Sequence, residues 1–299
     1  MNDEISAELS KGEILDRYVK KFLNRIADKE GIEMLEFSNT LIKEVEDILF
    51  ELDLKNSEPI DLLNDLQQLL NKFVNNNLSN LSMFERRFES DSIEQLLKFL
   101  LTLVSDEKQW IINNKGSNKL ASNIRRCSLK ILNAITDFQN NQIVDIDNLI
   151  EILRREFPVN EENRRNQVFL SHAYIDRVYT LGLFLYFYDK GIYLYIDWMH
   201  QSQGLFTRNL KHNLIAAINN SAQLLFLRTL NSELGLQGGS RQIREWCVWE
   251  IGTFDYKSNN TSSEGFYIDR YRQNRQVKSR SKLIQDYQPL RAIKNGRLY

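Results

Sequence analysis

The chain has 299 residues, 42% hydrophobic and 26% charged, with a formal net charge of −1, enough for one large core or, as a better match to its length, two modest ones. No apolar run approaches the roughly 20 residues that span a bilayer, and the opening MNDEISAELSKGE has neither the basic nor the apolar region of a secretory leader, so a soluble protein that is not secreted is expected. The two cysteines, Cys127 and Cys247, fit no metal spacing and suit a reducing compartment, so a cytoplasmic protein without a bound metal is expected.

The first half predicts helix after helix. Ile14, Leu15, Tyr18, Val19, Phe22, Leu23 and Ile26 form a continuous amphipathic stripe. Similar stripes run through 41–52, 62–74, 93–104, 120–138 and 146–157. Pro59 stands where a helix can begin, and NNNLSN (75–80) and NNKGSN (113–118) read as separators. Residues 1–158 are therefore expected to be an all-α helical bundle with an assembly or regulatory role, since no cluster of His, Cys or carboxylates marks chemistry there.

Phe157-Pro158 and the polar VNEENRRNQ that follows mark a break, and beyond it the pattern changes. VFLS (168–171), IYLYID (192–197) and AQLLFLRT (222–229) are short β-rich runs, with helix-length segments at about 174–190 and 207–220 between them. That alternation predicts parallel βαβ units, so residues 159–299 are expected to be a doubly wound α/β domain. Open parallel sheets bind ligands beyond the carboxyl ends of their strands. The rule selects Ser171, His172, Ala173 and Tyr174 after the first strand, Asp197 and Trp198 after the second, and Thr229 after the third. Neither G-x-G-x-x-G nor G-x-x-x-x-G-K-[ST] occurs, and LQGGS (236–240) is a loop. Ser171 and His172 are neighbours whose side chains point oppositely in a strand, which argues against a Ser–His nucleophile pair.

REWCVWEIGTFDYK (244–257) raises a separate question. At about 100° per residue, Glu250 shares a stripe with Ile243, Trp246, Cys247 and Phe254 rather than the polar face. A carboxylate in an apolar stripe must find partners, shift its pKa or line a cleft. Charge is also unevenly spread. Residues 1–158 hold 20 Lys/Arg against 28 Asp/Glu, whereas residues 266–299 hold nine against two. The basic stretch reads as a solvated tail, and nucleic acid is not expected as a partner.

Taken in order, VFLSHAYID (168–176), GIYLYIDW (191–198), LIAAINNSAQLLFLRTLNS (214–232) and REWCVWEIGTFD (244–255) resemble the Toll/interleukin-1 receptor (TIR) domain, bacterial members in particular. The resemblance covers about 90 residues, and W-C-x-x-E at 246–250 is its most specific element. It implies a flavodoxin-like fold for 159–299 and cleavage of NAD+, as substrate and not cofactor, between nicotinamide and ribose. The family's catalytic glutamate carries over to Glu250, and residues 197–206 correspond to the BB loop, where MHQSQGLF lacks the charges many members have. Residues 256–299 match poorly.

The implied substrate contacts are Ser171, His172, Ala173, Tyr174, Asp197, Trp198 and Trp246, with Trp198 and Trp246 bordering the site and Tyr174 stacking on a ring. Trp249 and Cys247 read as packing residues. The resemblance implies ADP-ribose or a cyclic ADP-ribose isomer as the product, in bacterial antiphage defence. Self-association through TIR and helical domains and a phage-derived trigger or downstream effector are the expected partners. The alternative is a TIR–TIR interaction module without turnover.

Overall fold

The structure is a computed structural model. It describes residues 9, 12–26, 37–45, 48, 59–84, 90–114, 126–127, 130–138, 146–159, 167–200, 208–229, 231–235, 241–243, 245–258, 264–269 and 281–299. They fall into two compact units, one of Met1–Ile26 with Val144–Tyr299 and one of Ala27–Ile143.

In the first unit, helices α1 (Glu13–Ile26) and α2 (Ile146–Glu156) precede strand β1 (Gln167–Ser171), helix α3 (Arg177–Asp189) and strand β2 (Tyr193–Tyr195). Helix α4 (Arg208–Asn220) and β3 (Gln223–Arg228) follow, then the hairpin of β4 (Glu233–Gly235) and β5 (Arg241–Ile243) that leads into α5 (Glu245–Ser258). The unit closes with β6 (Glu264–Asp269), β7 (Gln288–Pro289) and a hairpin of β8 (Ile293–Lys294) and β9 (Arg297–Leu298). The main sheet has the order β2-β1-β3-β6-β7, and every pairing in it is parallel. Counted along the chain, this is the 2-1-3-4-5 order of flavodoxin-like folds, with the strand order reversing beside β1.

Apolar side chains alternate along the strands to place Phe169, Leu224, Phe226 and Tyr267 in one core with Leu214 and Ile218 of α4 and Cys247, Ile251 and Phe254 of α5. Helix α3 differs from these amphipathic helices because Tyr179 through Phe187 are all buried. A helix that is apolar on all sides must be covered on all sides. Helix α1 supplies that cover with Leu15, Val19, Phe22 and Leu23, all buried. Tyr18 donates to Asp189 at 2.9 Å and meets Tyr186 edge-on, while Phe157 after α2 packs against Phe22, Phe184 and Tyr188. The α/β unit thus draws elements from both sides of the break at 158.

The stretch read as a basic tail is not one where the structure describes it. Phe266, Tyr267 and Ile268 are buried in β6, an interior strand, and the Gln223 side chain both donates to and accepts from the Leu298 backbone, tying the last hairpin to the sheet. Three consecutive apolar residues suffice for a strand buried on both faces, and the charges around them hid it. Residues 270–280 lie outside the described residues.

The second unit is helical among its described residues. Helices Pro59–Phe84 and Ser90–Asn113 pack together, with Lys108 donating to Gln67 at 2.6 Å, and Leu63, Leu66, Leu70, Leu97, Leu100 and Val104 on them are buried. Helical residues 37–45 and 130–138 add Leu41, Val45, Ile131 and Ile135 to the buried set. NNNLSN does not interrupt the chain as expected: the helix continues through 75–80 to Phe84. Leu78 and Leu81 carry on the spacing of Val74, and asparagine costs a helix only a few tenths of a kcal/mol, roughly, against its neighbours in propensity. No described helix is long and apolar enough to cross a membrane.

The α1–α3 contact is testable at Gly182. A Cβ built there would lie 2.8 Å from the Leu15 Cβ and 3.2 Å from the Leu15 carbonyl oxygen, and that backbone cannot swing aside. Gly182→Val is expected to destabilise the protein by about 1–3 kcal/mol through overpacking, as measured by chemical denaturation.

Candidate active site

Two periodicities bring Ser171 and Glu250 together. Phe169 faces α4 and α5, so Ser171, two residues further on, keeps that face at the carboxyl end of β1. Along α5, Cys247, Ile251 and Phe254 are buried against the sheet, and Glu250 lies on the same inward side. The result is a 2.6 Å hydrogen bond donated by Ser171 Oγ to Glu250 Oε2. The indole of Trp246, one turn earlier, also donates to Glu250 and is itself 36% exposed at the rim, whereas Glu250 is 2% exposed. Trp246 sits 5.3 Å from Trp249, which packs partly against the core and carries the Lys211 ammonium over its ring.

The remaining sequence-selected residues spread around this pair. His172 is buried, with Nδ1 3.3 Å from the Leu170 carbonyl and Nε2 3.5 Å from Asp197 Oδ1. Asp197 Oδ1 also accepts from the Trp198 backbone N–H at 2.6 Å. The Trp198 indole donates to Thr180 of α3, so its ring is buried against that helix, and Ala173 is buried as well. Tyr174 is 54% exposed on the rim. Cys247 donates to the His172 carbonyl, which links α5 to the loop after β1. Of the BB-loop segment, Asp197–Met199 form a single 3-10 turn followed by His200, and residues 201–206 lie outside the described residues.

Electrostatics set the state of Glu250. Burial pushes its pKa well above the ordinary carboxylate value, and the negative charge of Asp197 pushes the same way. The hydrogen bonds from Ser171 and Trp246 oppose both. Sequence reasoning did not single out Tyr195 or His200, which stack with centroids 4.4 Å apart while Phe169 covers the other side of Tyr195. Burial and, less strongly, Arg154 push the His200 pKa down to about 4, so its ring is neutral at physiological pH, with Nε2 3.2 Å from the Tyr193 hydroxyl.

Two further polar groupings lie at the sheet's carboxyl edge, of which the sequence had singled out Thr229 alone. Asp176, buried after β1, accepts from Thr229 Oγ1 at 2.7 Å and from Asn231 Nδ2 at 2.6 Å. Arg228, fully buried at the end of β3, pairs with Glu233 at 2.8 Å and with Asp269 at 2.8 Å. The signal was RTLNSE (228–233), a polar run directly at a strand end, to which the carboxyl-edge rule applies as well as to Ser171. Among the described residues no group of three or more His, Cys, Asp or Glu side chains is arranged to hold a metal ion.

No protein-family profile and no solved structure matches the chain. Over 107 residues the chain is 27% identical to a protein of Bacillus cereus (strain MSX-D12) described as a probable 3′ cyclic ADP-D-ribose synthase, ThsB′. The match takes in 35% of this chain and 51% of the relative, so the chain spans about half the length of the curated relative it matches.

The raised pKa of Glu250 has a measurable consequence for stability. Its folded value lies above the unfolded value of about 4.3, so the carboxyl group contributes stability below that pH and loses it as pH rises through the folded value. Glu250→Gln removes this ionisation. In thermal melts between about pH 5 and pH 8, where protein stability is generally greatest, the Tm of the variant minus that of the wild type is expected to grow with pH; a difference that shrinks would mean a depressed pKa.

Proposed function

We propose that this chain is a TIR-type enzyme that cleaves NAD+ between nicotinamide and ribose, with Glu250 as its catalytic carboxylate. One observation carries the proposal: a buried carboxylate held by a serine hydroxyl and an indole at the carboxyl edge of a parallel sheet, where such folds bind ligands. The similarity to a protein described as a cyclic ADP-ribose synthase supports it.

The chemistry needs little more. Glycosidases use one carboxyl group to protonate the leaving oxygen and a second on the opposite side. Nicotinamide in NAD+ already bears positive charge and leaves neutral, so no acid is required. Glu250, once ionised, hydrogen-bonds a hydroxyl of the nicotinamide ribose and stabilises the positive charge that develops on the ring as the bond breaks. The substrate helps to ionise it, because a cationic pyridinium beside a buried carboxyl group favours the anion. Ser171 and Trp246 keep the carboxylate oriented, and Trp246 limits water at the rim. The ribosyl carbon is then taken by water, giving ADP-ribose, or by a hydroxyl or adenine nitrogen of the same molecule, giving a cyclic isomer. Water exclusion at the reacting carbon decides between them.

A role in antiphage defence, and activation by self-association that raises the local concentration of TIR domains, complete the proposal. A second reading, an interaction module without turnover, draws on the same 2% exposure of Glu250, which leaves the carboxyl group almost no surface to offer a substrate.

Nicotinamide release from NAD+ by concentrated protein, with products separated by chromatography, distinguishes the two. The enzyme reading expects release that falls at least about 10²–10³-fold in Glu250→Gln with folding retained; absence of release from assembled wild-type protein favours the module. The acidic limb of the kcat/KM profile provides a second check. Ser171→Ala removes a bond that lowers the Glu250 pKa and is expected to move the limb to higher pH, whereas Asp197→Asn removes a charge that raises it and is expected to move the limb to lower pH.

A further inference from the structure

We infer that Arg177, stacked on Tyr174 at the carboxyl edge of β1, binds the diphosphate of the dinucleotide. The inference rests on the NAD+-cleaving reading for the identity of the substrate. Its structural basis is separate.

The chain turns through Tyr174–Asp176 directly after β1 and enters α3 at Arg177. Arg177 donates from one terminal nitrogen to the Tyr174 hydroxyl at 2.9 Å, and its guanidinium carbon lies 4.4 Å from the centre of the tyrosine ring. The two side chains therefore hold each other in place on the rim of the site. The charge itself is not neutralised: among the described residues no carboxylate lies within ion-pair distance of Arg177, and its Nε, although buried, has no hydrogen-bond partner. The adjacent Asp176 is committed to Thr229 and Asn231. Asn231, buried beside that carboxylate, likewise keeps an Oδ1 with no hydrogen-bond partner among the described residues.

A buried N–H without a partner costs free energy that water would otherwise offset, and a fixed guanidinium matches the oxygens of a phosphate group with two parallel hydrogen bonds. In NAD+ the diphosphate follows one ribose away from the bond to be cut. Three residues of extended chain, from Ser171 to Tyr174, cover up to about 10 Å, a separation on that scale. Glu250 at one end and Arg177 at the other thus match the two charges of opposite sign that the substrate carries.

The test uses the full chain and three variants, Arg177→Gln, Arg177→Lys and Glu250→Gln, with thermal melts to confirm folding. Arg177→Gln is expected to raise both the KM for NAD+ and the inhibition constant of adenosine 5′-diphosphate by about 10- to 100-fold while kcat changes less than about threefold, and Arg177→Lys is expected to recover part of that loss. Unchanged constants, a fall in kcat alone, or a lysine variant no better than glutamine would overturn the inference. Should the wild type release no nicotinamide in a Glu250-dependent way, the functional reading fails separately. Calorimetric titration with adenosine 5′-diphosphate then decides: binding weakened in Arg177→Gln upholds the subsite, and equal binding, or none to the wild type, overturns it.

Discussion

A carboxylate placed where water does not reach is the constraint around which the α/β unit is organised. Glu250 sits between α5 and the end of β1, and it is tolerable there because Ser171 and Trp246 donate to it. Each donor depends on something further out. Ser171 reaches Glu250 only if β1 keeps its alternation in register with β3, and the parallel pairing Ser171↔Phe226 fixes that register at the last residue of the strand. Trp246 reaches it only if α5 starts at the right place, which the β4–β5 hairpin determines.

That hairpin is held by charge. Glu233 opens β4 and is paired inside the protein with Arg228 at the end of β3, while Asp269 at the end of β6 takes the other side of the guanidinium. Such a buried network adds little net stability compared with an apolar core, but losing one member leaves an uncompensated charge. It therefore specifies geometry: β3, β6 and the entry to α5 meet at one arginine. The Asp176–Thr229–Asn231 grouping does the same between the ends of β1 and β3. Two polar clamps thus fix the edge of the sheet from which the candidate site is built, and the apolar core beneath them needs only to be dense.

Much of this could be read from the chain before any coordinates, and the reasons are local. The inward position of Glu250 follows from helix periodicity, and Ser171 follows from strand alternation with the rule that ligands lie at strand ends. The contacts that escaped notice join residues far apart in sequence: Asp176 with Thr229 and Asn231, or Arg228 with Asp269. Composition carries no signal for such pairs. The uniform burial of α3 announces that something covers it, yet only the folded chain shows that α1 does. β6 escaped for another reason, since a three-residue apolar core among basic neighbours looks like a solvated stretch until its partner strand is known.

The central claim is that Glu250 is a buried carboxyl group with a raised pKa that a cationic substrate converts to the anion. The most direct measurement is the titration of its side-chain carbon by ¹³C NMR in glutamate-labelled protein, assigned with Glu250→Gln, alone and with an uncleavable NAD+ analogue whose nicotinamide ribose oxygen is replaced by carbon. The expected result is a midpoint well above the ordinary glutamate value of about 4.3 in the free protein, falling when the analogue binds. A midpoint at the ordinary value, or one unmoved by bound analogue, would contradict it.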